Sequence, residues 1–233
     1  MEEILKYGFA QLGVEVNERA LERYRTYYEY LEERNKVMNL TAISGTEDVA
    51  RLHFLDCVSL LGMCDFKSKR LIDVGTGAGF PGLPLKIAEP SLELTLLDSL
   101  NKRVDFLRET CVKLGFEDVN CIHARAEEAP AEFRGAYDIA ASRAVARLNT
   151  LCELCLPLLK VGGVFIAMKG PDCSQEVSEA SSAMHLLGAE LRDTIIYKVP
   201  GTDISHGAVI IEKVKPTPPK YPRKWAQIKK QPL

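Results

Sequence analysis

The sequence predicts an α/β fold with a mostly parallel sheet, and three observations lead to this prediction. From residue 70 onward, short apolar runs alternate with segments of helical periodicity, as in βαβ units. A glycine-rich loop follows the first apolar run, at a place where such sheets commonly bind a nucleotide. Residues 1–66 show helical periodicity and no strand pattern, so we expect a helical cap ahead of the sheet.

The predicted cap contains at least one long amphipathic helix. The residues on its apolar face recur at helical spacing, at Leu21, Tyr24, Tyr28 and Leu31. A further helix is expected to begin at residues 46–48, because the helix dipole favours acidic residues in a first turn.

Seven strands and four helices are predicted after the cap. The strands are residues 70–74, 92–98, 118–123, 137–142, 163–169, 190–199 and 208–213. The helices are residues 82–88, 101–114, 148–159 and 174–187. Helical crossovers make the early strands parallel. The last two strands have no helix between them, so we expect an antiparallel pair at the edge of the sheet.

The last part of the sequence is a basic, proline-rich tail. Residues 213–233 contain seven basic and no acidic residues, which leaves 23 basic against 32 acidic residues in residues 1–212. Basic segments of this kind often bind phosphate, and a solvated tail without a partner is the alternative. Five prolines and no periodicity predict an extended tail from Pro216 onward. The expected parts are the cap at 1–66, an α/β ligand-binding domain at 67–214 and the tail at 215–233.

Composition predicts a soluble, cytoplasmic protein without a membrane partner. The chain is 46% apolar and 27% charged, which is ordinary for a globular protein. It has no apolar run of bilayer-crossing length and no signal-peptide pattern. Seven scattered cysteines are an odd number, typical of reduced thiols. Cys152 and Cys155 have no second pair to complete a zinc site, so we expect no metal.

The loop after the first predicted strand carries four glycines, Gly75, Gly77, Gly79 and Gly82. The last three match the dinucleotide pattern G-x-G-x-x-G, and Asp98 follows at about the 20-residue distance seen in NAD enzymes. Asp73 is not part of that pattern, but its carboxylate would offset the positive charge of a sulfonium with an α-amino group. The residues alone therefore favour S-adenosylmethionine over NAD, and an NAD-linked oxidoreductase is the alternative.

Further polar residues follow the other predicted strands. Because ligands bind at the carboxyl ends of the strands in such sheets, we expect these residues to share a layer with the glycine loop. They are Asp98-Ser99-Leu100, Ala126-Glu127, Ser142-Arg143 and Lys169-Gly170. Asp98 suits ribose hydroxyls as an acceptor. Arg143 and Arg147 suit a phosphate or a carboxylate, with surface ion pairs as the alternative.

Three longer strings carry a resemblance to a known family. Residues 73–82 (DVGTGAGFPG), 98–103 (DSLNKR) and 141–146 (ASRAVA) together resemble the RsmG family, also called GidB. Its members are bacterial methyltransferases that act on guanine N7 of 16S, small-subunit ribosomal RNA. The resemblance extends over most of the chain through residues 39–42, 53–56 and 221–224. One departure is that the family usually has a Gly-containing turn where this chain has Trp225-Ala226-Gln227-Ile228.

The resemblance implies a class I (Rossmann-like) methyltransferase fold, with a mostly parallel seven-stranded sheet, an antiparallel edge strand and an N-terminal helical cap. It implies S-adenosylmethionine as the cofactor and a guanine N7 of 16S ribosomal RNA as the methyl acceptor, within the small subunit or a precursor. We expect a monomer. A non-catalytic RNA-binding assembly factor is a further alternative, and the intact set of Asp73, Gly75 and Asp98 argues against it.

The residues expected at the site come from the glycine loop, the layer around it and the tail. Those expected to contact the cofactor are Asp73, Gly75, Gly77, Gly79, Phe80, Asp98, Ser99, Leu100, Ala126, Glu127 and Arg143. Those expected to bind RNA are Arg143, Arg147, Lys169, Arg223 and Lys224. Guanine N7 has a free lone pair and no proton to lose, so we expect catalysis by proximity and orientation, without a general base. His53 is expected to be a structural hydrogen-bonding residue.

Overall fold

A computed structural model gives the fold of the chain and describes residues 1–143 and 146–233. Ala144 and Val145, which belong to one of the strings behind the resemblance, lie outside the described residues. The strands are β1 (Arg70–Val74), β2 (Glu93–Asp98), β3 (Asn120–His123), β4 (Tyr137–Arg143), β5 (Leu159–Lys169), β6 (Ala189–Lys198) and β7 (Ser205–Lys213). Within the described ranges, no helix is long and apolar enough to cross a membrane.

Helices precede, connect and follow these strands. They are α1 (Glu2–Leu12), α2 (Glu18–Met38), α3 (Thr46–Val49), α4 (Asp56–Val58), α5 (Gly82–Ala88), α6 (Asn101–Leu114), α7 (Leu148–Cys155), α8 (Ser174–Glu179), α9 (Ser181–Leu186) and α10 (Trp225–Lys230). A π-helical turn at Ala50–Leu55 joins α3 to α4. The helix predicted at 174–187 is thus two helices. Ser181 and Ser182, which favour caps over helix interiors, follow the break.

The sheet has the strand order β3-β2-β1-β4-β5-β7-β6. Strands β1 to β5 pair in parallel, and β7 runs antiparallel to both of its neighbours, β5 and β6. The predicted α/β fold, with a mostly parallel seven-stranded sheet and an antiparallel pair at its edge, is confirmed. The strand order reverses between β1 and β4, and the carboxyl ends of the strands at such a reversal leave a crevice for a ligand.

The cap packs on the sheet and shares one apolar core with it. Two buried tyrosines of α2 hydrogen-bond to the segment that follows β1. Tyr24 Oη donates to Pro84 O at 2.7 Å, and Tyr27 Oη donates to Ala78 O. Phe54 packs against both rings, with centroids 5.0 and 5.3 Å apart. We propose that the cap, the α/β domain and the tail fold as one unit. The predicted bounds between these three parts remain predictions.

The prediction of an extended tail is wrong for residues 225–230, which form α10. The reason is a single apolar residue, Ile228, which is fully buried in a core cluster with residues of β4, α7 and β7. Upstream of the helix, the tail is held by Arg134. Its guanidinium donates to the carbonyl oxygens of Thr217 and Tyr221, both at 2.7 Å.

A buried ion pair fixes the start of α10. The backbone N–H and Nε of Arg223 both donate to Glu153 Oε1 at 2.8 Å, and Nη2 donates to Oε2 at 2.6 Å. Glu153 lies on α7 and is fully buried. A buried carboxylate without its cation is strongly destabilising, so this pair determines where the tail lies.

We expect Arg223→Ala to lower the free energy of unfolding by about 3 kcal/mol, because it leaves Glu153 buried without its partner. Urea denaturation of both chains measures the difference. Lys224→Ala is the matched control, since Lys224 is exposed and adjacent, and should change stability by less than about 0.5 kcal/mol. Equal, small effects of the two substitutions would show that the ion pair does not hold the tail.

Candidate functional site

The glycine loop between β1 and α5 lies against the end of β2. Gly75 N–H donates to Leu97 O at 2.8 Å, and Gly77 N–H donates to Asp98 Oδ2 at 2.9 Å. Gly79 has a φ of +104°, and a Cβ there would lie 2.7 Å from Tyr27 Oη. Only glycine fits this position, where the cap and the loop meet.

Asp73 is fully buried beneath the loop. Its Oδ2 accepts hydrogen bonds from Thr76 Oγ1 at 2.6 Å and from Gly82 N–H at 2.8 Å, and so joins the two ends of the loop. Its Oδ1 has no hydrogen-bond partner among the described residues. Burial raises the pKa of Asp73 to about 7. These hydrogen bonds show that Asp73 holds the loop in place. The expectation that its carboxylate also offsets the positive charge of a bound ligand remains a prediction.

Asp98 ends β2 and is nearly fully buried. Oδ1 accepts the Leu100 N–H at 2.9 Å, Oδ2 accepts the Gly77 N–H, and Arg103 Nη1 lies 3.5 Å from Oδ2. Both carboxylate oxygens therefore have backbone donors already. Each can accept a further hydrogen bond, because a carboxylate oxygen has two lone pairs.

Two adjoining cavities open at this layer, of about 350 and about 230 Å³. Both are lined by Gly75, Asp98 and Ser99. The first is also lined by Leu40, Thr41, His53, Thr76, Gly77, Ala78, Phe80, Arg103 and Arg143. The second is also lined by Val74, Leu97, Ala124, Arg125, Ala126, Glu127, Leu154 and Trp225.

The cavities bring together most of the residues expected to contact the cofactor. Asp73, Gly79 and Leu100 are the exceptions, since they are not among the lining residues of either cavity. Asp73 and Gly79 lie beneath the loop, and the Leu100 side chain is 43% exposed. Direct contacts of these three residues with a ligand remain predictions.

Glu127, in the wall of the second cavity, has an acceptor atom without a hydrogen-bond partner among the described residues. Its side chain is only 5% exposed, and the acceptor atom is Oε1. Arg125 Nη1 lies 3.8 Å away, too far for a hydrogen bond. A buried acceptor of this kind can accept a hydrogen bond from a ligand or from water.

Phe80 is the platform of the first cavity. The His53 ring stacks on it with centroids 4.3 Å apart, and the Arg143 guanidinium lies 4.6 Å from the ring centroid. Arg143 Nη2 donates to His53 Nδ1 at 2.9 Å. Since arginine can only donate, the His53 proton must be on Nε2, which donates to Thr41 Oγ1 at 2.8 Å.

His53 is neutral in this arrangement. Burial, and then the charge of Arg143, lower its pKa to about 3. Both of its nitrogens are engaged, so His53 fixes the Arg143 guanidinium and is not free to move a proton. This position agrees with the structural role expected for His53.

A third cavity, of about 400 Å³, shares His53 and Arg143 with the first cavity. It is lined by Ile43, Leu52, His53, Asp56, Arg143, Met168, Lys169, Gly170 and His206. The buried Asp56 organises its floor. Asp56 Oδ1 accepts from Tyr197 Oη and from His206 Nδ1, both at 2.8 Å, and Arg143 Nη1 lies 3.5 Å from Oδ2. The hydrogen bond to Asp56 raises the pKa of His206.

The Asp56 group was missed from the sequence. Asp56 belongs to a string that carries the resemblance, but neither Tyr197 nor His206 has a local pattern that marks it. One indication was present in the sequence. Tyr197 lies in one of the last two predicted strands and His206 just before the other, and the structure pairs the two residues across β6 and β7. Trp225 was noted only as a departure from the family pattern.

The residues expected to bind RNA are engaged to different degrees. Arg147 Nη2 pairs with Glu179 at 2.5 Å on the surface. Lys169 Nζ donates to Glu176 Oε2 at 2.7 Å and to Ala146 O at 2.8 Å. Arg223 is occupied by Glu153, and Lys224 is exposed. Arg143 lies at the site itself, between the first and third cavities. RNA binding by these residues remains a prediction.

Comparison with known proteins gives a family match over residues 20–200, to GidB, rRNA small subunit methyltransferase G. The chain is 48% identical to the Ribosomal RNA small subunit methyltransferase G of Alkaliphilus metalliredigens, over 99% of this chain and 98% of that protein. It is 44% identical to the protein of the same name from Clostridium perfringens, with the same coverage.

Solved structures share the fold at low identity. The TYW2 protein of M. jannaschii, in complex with AdoMet, has a TM-score of 0.57 at 14% identity, over 74% of this chain and 80% of that one. A SAM dependent methyltransferase from Aquifex aeolicus has a TM-score of 0.55 at 17% identity, over 72% of this chain and 94% of that one. The class I methyltransferase fold implied by the resemblance is therefore confirmed.

We expect the stability of the Asp73→Asn variant, compared with that of the unsubstituted chain, to increase as the pH rises from 5 to 8. The folded-state pKa of Asp73, about 7, lies above the ordinary value of 3.8. Between these two values the unfolded chain ionises more readily than the folded chain, so the unsubstituted protein loses stability as the pH rises. Asparagine does not ionise, so the variant does not lose this stability. Melting temperatures of both chains across this range measure the effect. A difference that does not change with pH would contradict a raised pKa at Asp73.

Proposed function

The chain belongs to the GidB family, the small-subunit ribosomal RNA methyltransferases G, and from this premise we propose that it methylates N7 of a guanine in 16S ribosomal RNA. The resemblance seen in the sequence is thereby confirmed, as is S-adenosylmethionine as the cofactor. Membership gives no support to an NAD-linked oxidoreductase or to a non-catalytic assembly factor. The choice of N7 is our proposal, and it rests on the chemistry of the residues around the third cavity.

The first two cavities fit S-adenosylmethionine. Glu127 Oε1, which has no hydrogen-bond partner among the described residues, suits the amino group of an adenine in the second cavity. Asp98, which lines both cavities, suits the ribose hydroxyls between them. Arg103 and Arg143 line the first cavity and suit the carboxylate of the methionine part. When bound, the cofactor supplies an electrophilic methyl group on a sulfonium.

The observation that carries the proposal is that His53 and Arg143 form a wall common to the first and third cavities. We propose that the target base enters the third cavity, which combines apolar side chains with the polar edge of Asp56 and His206. A base there faces the cofactor cavity across Arg143. Splaying a base from its stack into a pocket is the usual way in which proteins reach single-stranded RNA bases.

The groups around this wall agree with methylation of a ring nitrogen that has no proton. His53 is neutral and engaged at both nitrogens, so it cannot act as a general base. Burial raises the pKa of Cys57 far above its ordinary value, so its thiol is not a nucleophile. Guanine N7 needs neither group, because its lone pair attacks directly once it is held in line.

RNA phosphates are held, in our proposal, by cations at the rim. The Arg147–Glu179 pair is exposed, with side chains 64% and 37% accessible, and exposed pairs contribute little stability. A phosphate can therefore replace Glu179 at Arg147 at little cost. Lys169 and Lys224 are further candidates, whereas Arg223 anchors the tail. We also propose that the protein acts in the cytoplasm, as a monomer, on the small subunit or a precursor.

Labelled methyl transfer tests the function. Small subunits from cells that lack the protein are incubated with the purified protein and with S-adenosylmethionine labelled in its methyl group. The RNA is then digested and analysed by mass spectrometry. We expect label in 7-methylguanine at one position of 16S RNA. Label on another atom would overturn the choice of N7, and no label in RNA would overturn the proposal as a whole.

We expect Arg143→Ala to lower methyl transfer by about 100-fold or more, because Arg143 positions groups on both sides of the wall. Asp98→Ala should lower it as well, through weaker cofactor binding. Arg108→Ala is the control, since Arg108 lies on the surface of α6 in an exposed ion pair. Melting temperatures show whether each variant is folded. A folded Arg143→Ala protein with normal activity would overturn the assignment of the wall.

His206→Ala tests the third cavity. It removes a polar group beside Asp56 without touching the first two cavities, so we expect a KM for small subunits raised several-fold and an unchanged affinity for S-adenosylhomocysteine. Steady-state kinetics and calorimetry measure the two. Lys198→Ala, at an exposed residue of the same sheet edge, should leave both unchanged. A normal KM in the His206 variant would place the target base elsewhere.

A further inference from the structure

Trp225 is the one residue from the tail that lines a cavity of the cofactor site. It begins α10, and its side chain is 37% exposed. The chain contains a single tryptophan, so this indole is unique in the protein.

The position of Trp225 is fixed from both sides. Two residues before it, Arg223 is held by the buried Glu153 through three hydrogen bonds. Three residues after it, Ile228 is fully buried. Leu154, next to Glu153 on α7, lines the same cavity as Trp225. The indole is therefore a built part of the cavity wall and not a loose tail residue.

The other walls of this cavity suit a flat, aromatic ligand that carries a hydrogen-bond donor. Val74, Leu97 and Leu154 supply apolar surface. Glu127, whose side chain is buried in the wall, presents an acceptor without a hydrogen-bond partner among the described residues, with Arg125 as its ion-pair neighbour at 3.8 Å. Adenine has both properties, a π-face and an exocyclic amino group.

We propose that Trp225 forms one wall of the adenine subsite, so that the tail contributes directly to the affinity for the adenosyl group. The proposal rests on the function proposed above, since it takes S-adenosylmethionine as the ligand. Stacking of a base on an aromatic side chain is a strong contact that does not depend on hydrogen bonds. The tail then has a role in cofactor binding in addition to any role in holding RNA.

Fluorescence of the unsubstituted protein tests the position of the indole without any variant. The probes are S-adenosylhomocysteine, methylthioadenosine, which keeps the adenine end, and homocysteine, which keeps the other end. We expect the first two to change the tryptophan emission in a saturable way, and homocysteine to leave it unchanged. A response to homocysteine without one to methylthioadenosine would place the indole at the wrong end of the cofactor and overturn the proposal.

Calorimetry tests the contribution to affinity. We expect Trp225→Ala to weaken binding of S-adenosylhomocysteine by about tenfold, within the range for loss of one base–aromatic stack. Trp225→Phe, which keeps an aromatic face, should bind within about threefold of the unsubstituted protein. Gln227→Ala is the matched control, since Gln227 is an exposed residue of the same helix, and should bind normally.

The outcomes separate this inference from the function on which it rests. Normal affinity in Trp225→Ala, together with a tryptophan emission of the unsubstituted protein that does not respond to bound S-adenosylhomocysteine, overturns the role of Trp225 and leaves the methyltransferase intact. Failure of the unsubstituted protein to bind S-adenosylhomocysteine overturns both. If Trp225→Ala does not fold, the emission of the unsubstituted protein and the affinity of Trp225→Phe still decide the question.

Discussion

One carboxylate oxygen, Oδ2 of Asp73, holds the glycine loop in its shape. It receives the Thr76 hydroxyl from the start of the loop and the Gly82 N–H from its end. The loop then brings the Gly77 N–H to Asp98, and the two carboxylates together fix the carboxyl ends of β1 and β2. Burying Asp73 costs free energy, and the result is a preorganised loop whose residues line both of the cavities proposed for the cofactor.

The site belongs to the cap as much as to the sheet. His53 comes from the cap and Arg143 from the end of β4, yet they share a hydrogen bond and the face of Phe80. Tyr27 of the cap also binds the loop directly, through Ala78 O. Removal of the cap would therefore leave the Arg143 guanidinium without its partner and the loop without its cover. The apolar core that the cap shares with the sheet holds these contacts in place.

Local patterns were enough to predict the sheet and the layer of residues at its carboxyl ends. Apolar runs mark buried strands, and helical periodicity marks the helices between them. The predicted bounds of β1, α5 and α6 agree with the structure because local spacing determines where these elements begin and end. The contacts that complete the site depend on long separations instead. Asp56 meets His206 across 150 residues, and Glu153 meets Arg223 across 70. No periodicity records such pairs, because the two partners of each pair lie far apart in the sequence.

The distance in sequence between Glu153 and Arg223 also determines the order in which parts of the structure can be completed during synthesis. A chain leaves the ribosome amino end first, so Glu153 and Leu154 are made well before the segment that holds Arg223 and Trp225. During that interval the Glu153 carboxylate has no cation, and the second cavity lacks one of its walls. The second cavity is complete only when Trp225, which follows the last strand β7, has been made and α10 has packed in place. The tail must therefore be synthesised and folded before the second cavity is complete, although α7 and its buried Glu153 are made 70 residues ahead of Arg223.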